Sequence, residues 1–99
     1  MNKINSYISF AKKSRTILFG EDKILEGKNI KLVVCSNTIS NNFLKKIEKA
    51  NLKTICLFEQ EFNKLQTDSK VFAITNENLA QAIEKELTNI GGNNFDNKQ

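Results

Sequence analysis

The chain contains no histidine, only two cysteines, and no apolar run near the length of a membrane helix. Each absence removes a class of function. Without histidine the commonest general base is missing, and Ser-His and Cys-His mechanisms are excluded. Cys35 and Cys56 form no CxxC pair, so the usual zinc ligand sets are excluded too. No stretch approaches the ~20 apolar residues that span a bilayer, and the first residues lack the apolar core of a secretory signal. The expectation is a cytoplasmic protein that uses no cofactor or metal. At 99 residues the chain has the size of one domain, able to bury roughly 60–65% of the surface of its unfolded form.

Lysine, by contrast, is abundant and unevenly placed. Residues 1–53 carry eleven Lys and Arg against four Asp and Glu, whereas residues 54–99 carry four against seven. A lopsided basic half is the footprint of a nucleic-acid partner. Solvated lysines that keep a small protein soluble leave the same trace.

Hydrophobic spacing organises the rest. Ile4, Ile8 and Ala11, widened by Tyr7 and Phe10, predict an amphipathic helix over residues 3–14. Residues 16–19 read as a short strand, and Gly20 then turns into a short helix over residues 21–26 that Gly27 stops. Residues 30–35 are continuously apolar apart from Lys31, as in a strand covered on both faces. Ser40 caps a predicted helix through Asn51 with Phe43, Leu44, Ile47 and Ala50 inward. A strand at 54–58, a brief helix at 59–65 and a strand at 71–75 follow. Asn76 then caps a last helix with Leu79, Ala80, Ile83 and Leu87 inward. Residues 1–90 read as the domain, and residues 91–99, opened by Gly91 and Gly92, as a flexible C-terminal tail.

Strands alternating with helices imply an α/β fold, with a four-stranded, mostly parallel sheet and helices on both faces. Ligands of such sheets gather beyond the carboxyl ends of the strands. The loops expected there are residues 20–23, 36–40 and 75–78.

Cys35 poses the sharpest chemical question. A strand that ends in cysteine before a polar loop and a helix resembles a phosphocysteine carrier or a cysteine phosphatase. Both need backbone N–H groups converging on phosphate, usually with glycine or arginine nearby. The loop Cys35-Ser-Asn-Thr-Ile-Ser-Asn has neither, and Ile39 would sit in the cradle. Cys35 therefore reads as a buried small hydrophobe, as does Cys56.

The order of local phrases resembles the ribosomal L-seven-Ae / L-thirty-e family of RNA-binding proteins, and within it the small bacterial YlxQ-like members. The phrases are Ser6-Tyr7 with Ala11-Lys12-Lys13, then Gly20-Glu21-Asp22-Lys23, then Lys31-Leu32-Val33-Val34, and finally Ala73-Ile74-Thr75-Asn76-Glu77. The resemblance covers residues 3–88. It implies a three-layer α/β/α sandwich with a mixed four-stranded sheet, one strand antiparallel. It also implies a monomer that binds structured RNA, such as a kink-turn or ribosomal RNA, in a ribonucleoprotein or on the ribosome.

On that resemblance, Gly20 lets backbone approach RNA, and Glu21, Asp22 and Lys23 form the base-reading turn. Ser36, Asn37 and Thr38 fall on the neighbouring loop, where the Asn37 amide can offer donor and acceptor together. Lys12, Lys13 and Arg15 would border the site and meet phosphates. The chain departs from kink-turn binders at Asp22 and Lys23, where they carry Asn-Glu, and at Glu26, where they carry lysine. Arg15 stands at a glycine position, and the loop at 67–70 lacks the apolar residues that brace flipped bases. A protein-interaction adaptor on the same scaffold is the second function class, and an enzyme acting through Cys35 the third. A binding module without catalysis is the reading the residues favour.

Overall fold

The computed structural model describes residues 3–67, 69–89, 93 and 94. Its elements alternate as expected: α1 (Lys3–Ser14), β1 (Ile17–Phe19), α2 (Glu21–Glu26), β2 (Leu32–Ser36), α3 (Asn41–Lys49), β3 (Thr54–Leu57), α4 (Glu59–Phe62), β4 (Val71–Ile74) and α5 (Glu77–Asn89). Asn93 and Asn94, expected to fray with the tail, instead form β5 and pair antiparallel with β3. The other residues of the expected tail lie outside those described. Four strands make the body of a mixed sheet, ordered β1-β4-β2-β3, and β5 extends its edge.

Strands β2 and β3 are parallel, while β4 runs antiparallel to both β1 and β2. One strand of the four is thus reversed. The chain re-enters the sheet from the end at which β3 left it.

That reversal corrects one expectation about the ligand edge. Residues 75–78 follow a reversed strand and lie at the opposite end from Gly20 and Ser36. Hydrogen bonds fix the two ends: Gly20 N–H to Val71 O (3.4 Å) and Ser36 N–H to Lys70 O (2.9 Å) at one, Lys31 N–H to Ile74 O (2.8 Å) and Thr75 N–H to Thr16 O (2.9 Å) at the other. Thr67, Ser69 and Lys70 take the place expected for residues 75–78.

Successive residues of β2 and β4 point to opposite faces, and each face has its own core. On one side α1 (Ile4, Ile8, Ala11), α4 (Phe62) and α5 (Leu79, Ala80, Ile83, Leu87) pack on Leu32, Val34, Phe72 and Ile74. On the other, α2 (Ile24) and α3 (Phe43, Ile47) cover Val33, Cys35, Cys56, Val71 and Ala73. Burial on both faces explains why β2 reads as an uninterrupted apolar run. Each large side chain buried this way stabilises by about 1.5–3 kcal/mol. The Ser40 Oγ accepts from Phe43 N–H (3.2 Å) and the Asn76 Oδ1 from Leu79 N–H (3.0 Å), as their capping role requires.

Ala50 is exposed, not inward as its spacing suggested. Helix α3 ends at Lys49, and Asn51 reverses the chain at φ 62°. Leu52 N–H then bonds Ile47 O (3.1 Å), and Leu52 packs against the second core.

Candidate nucleic-acid interface

Gly20 begins the site. Its φ of 93° and ψ of 151° set the turn from β1 into α2, a conformation almost closed to residues with a Cβ. A Cβ added there would meet nothing within 4 Å, so the constraint is conformational and the backbone stands open. Ile24 N–H bonds Gly20 O (3.1 Å), and buried Ile24 pins the helix. Glu21, Asp22 and Lys23 are all exposed on its first turn. Gly27 ends α2 for a different reason, since a Cβ there would lie 2.6 Å from Leu18 Cδ1.

The loop after β2 is held by hydrogen bonds and presents two side chains. Ser36 is 1% exposed; its Oγ accepts from Thr38 N–H (3.2 Å) and pairs with Thr38 Oγ1 (2.9 Å). Asn37 N–H bonds Leu57 O (2.8 Å), and Ile39 is buried beneath. Asn37 and Thr38 are exposed on this frame, whereas Ser36 shapes the loop from within. Cys35, just before it, is fully buried in the second core.

Thr67, Ser69 and Lys70 complete the edge. A cleft of ≈ 170 Å³ opens between Ser36, Thr38, Glu59, Asn63, Thr67 and Lys70. Thr67 Oγ1 donates to Ser69 O (2.8 Å), which holds the loop in place. Glu59, Asn63 and Lys70 were not among the residues expected at the site. Strand direction, which decides that this loop lies at the Gly20 end, left no signal in those residues.

The basic residues of α1 divide. Lys12 reaches the edge: its Nζ donates to Gln66 O (2.9 Å) and lies 5.7 Å from the centroid of the Phe19 ring. Lys13 and Arg15 are exposed and lie just before β1, at the end of that strand opposite Gly20. Arg15 occupies its glycine-like position at φ 60°.

Charge at the Gly20 end is consequently mixed, with Lys12, Lys23 and Lys70 beside Glu21, Asp22 and Glu59. Much of the basic excess lies elsewhere, on the exposed side of α3 (Lys45, Lys46, Lys49) and at the opposite end of the sheet (Arg15, Lys28, Lys31). Among the described residues the ion pairs are Lys53–Glu84 (2.7 Å) and Lys64–Glu61 (3.5 Å). No helix among them is long and apolar enough to cross a membrane.

No family model matches this chain, and a search of curated proteins gives no match. Among solved structures, a protein with unknown function from Bacillus halodurans C is similar, with a TM-score of 0.67 and 14% identity. The match covers 89% of this chain and 99% of that one. At that identity the likeness establishes the α/β fold alone.

Proposed function

We propose that this chain is a small RNA-binding module of the L-seven-Ae / L-thirty-e type, reading structured RNA with the Gly20 end of its sheet. The observation that supports this most is convergence. Three separate segments bring an open glycine backbone, the Asn37 amide, the Thr38 hydroxyl, Lys23 and Lys70 to one edge. Bases that are unpaired or extruded are what such an edge can read, because side chains cannot enter the A-form major groove. Lys12, Lys23 and Lys70 supply the phosphate contacts, and Asn37 the contact to a base edge.

Binding of a structured RNA pool to filters over 50–200 mM salt tests the proposal. Three phosphate contacts give a slope of log K against log[salt] of roughly −2 to −3. Asn37→Ala should cost about 1–3 kcal/mol on the preferred RNA and little on a random one. A flat slope, or no retention at low salt, would refute RNA binding.

A protein-interaction module on the same scaffold is the second reading. Phe58, 61% exposed at the same end of the sheet, and the mixed charge around it favour this alternative.

A further inference from the structure

Cys35 and Cys56 occupy directly opposite positions in the parallel pairing of β2 and β3. Their Sγ atoms lie 3.0 Å apart. Both point into the core beneath α2 and α3, among Val33, Ile39, Phe43 and Ile47, and both are free thiols. Neighbouring strands run ~4.8 Å apart, and disulfides join Cα atoms separated by ~4.4–6.8 Å. The spacing of paired strands therefore falls within the range that a disulfide bridges.

The thiols also differentiate each other. Their mutual hydrogen bond, followed by burial, raises the pKa of Cys35, while the same bond lowers that of Cys56 against the opposing effect of burial. The two titrate as a pair, and Cys56, 4% exposed against 0% for Cys35, is the less buried of the two and the nucleophilic partner.

We propose that Cys35 and Cys56 form a two-electron redox site, a dithiol that a small peroxide closes to an intramolecular disulfide. The Cys56 thiolate attacks one peroxide oxygen; an S–O bond forms, the O–O bond breaks, and the departing hydroxide takes a proton to become water. The Cys35 sulfur then attacks the Cys56 sulfur. The S–S bond forms, the S–O bond breaks, and the hydroxide leaves as a second water with the Cys35 proton. Two thiols are oxidised by two electrons and one peroxide is reduced to two waters. Because the resolving thiol is already in contact, the sulfenic acid is consumed before further oxidation. The new bond would tie β2 to β3 one residue before the loop that carries Asn37 and Thr38. This site stands independently of the RNA reading.

The test is hydrogen peroxide treatment of the folded protein, thiol alkylation, and mass spectrometry without reduction. The expected product is a monomer lighter by two hydrogens, with the Cys35 and Cys56 peptides joined and separated again by dithiothreitol. Cys35→Ser should instead accumulate a Cys56 sulfenic acid that dimedone traps. If that variant does not fold, mapping of the wild-type protein decides alone. Three results would overturn the proposal: thiols that stay reduced at peroxide levels oxidising the urea-unfolded chain, oxidation to sulfinic acid, or disulfides only between chains.

Discussion

Replacing Gly20 by alanine should destabilise the protein although the new methyl group touches nothing. The position has φ 93° and ψ 151°, in a region that L-residues with a Cβ occupy only at a cost of about 1–3 kcal/mol. The space around the added Cβ is empty within 4 Å, so neither a clash nor a new contact alters that figure. For a domain of this size each kcal/mol moves the melting temperature by about 4–8 °C, which places the expected fall at about 4–24 °C. Urea unfolding followed by circular dichroism measures the loss directly, and an unchanged m-value would show that only stability moved. A chemically synthesised chain with D-alanine at position 20 supplies the control. It prefers the mirror-image backbone region, with its methyl group on the other side of the Cα, and should be destabilised less than the L-alanine variant. Equal destabilisation by L- and D-alanine, or none by L-alanine, would refute the conformational account of Gly20. Gly27→Ala tests the opposite mechanism. Its Cβ would press to 2.6 Å from Leu18 Cδ1, 3.1 Å from Ile30 Cδ1 and 3.2 Å from Lys23 O, and the expected loss of about 1–3 kcal/mol is one of overpacking, relieved only in part by Leu18→Ala.

Phe43→Ala should cost about 3–5 kcal/mol in urea unfolding, because Phe43 is buried in the second core, whereas Ala50→Ser on the exposed end of α3 should change stability by less than about 0.5 kcal/mol. In RNA filter binding, Lys70→Ala should reduce the salt slope by roughly 0.7–0.9, while Lys13→Ala, Lys64→Ala and Lys85→Ala should leave it nearly unchanged. Closing the Cys35–Cys56 bond, across 21 residues of chain, should raise stability by about 3 kcal/mol on the loop-entropy relation, read as a higher urea midpoint for the oxidised protein.

The helices were legible because their inward residues repeat at helical spacing. Ile4, Ile8 and Ala11, and later Leu79, Ala80, Ile83 and Leu87, are all buried as that spacing required. The double-sided burial of β2 was equally visible in its apolar run. Strand direction was not, because no residue of β4 differs chemically from those of a parallel strand. Only the family resemblance implied one reversed strand, and strand direction decides which third loop lies at the edge. Ser36 shows a second limit: a serine beside exposed polar residues reads as surface, yet its hydroxyl is spent inside the loop on Thr38. Lys12 and Lys13 show a third, since adjacent lysines on a helix diverge and only Lys12 bonds to Gln66.

Mapping of amide chemical shifts while structured RNA is added at low salt tests the proposed interface most directly. The changes should centre on Gly20, Asp22, Asn37 and Lys70, with Lys12 affected and Lys13, Arg15 and residues 80–87 silent. Shifts centred on residues 42–49 or 80–87, with Gly20 and Asn37 unmoved, would contradict the assignment of RNA to this end of the sheet.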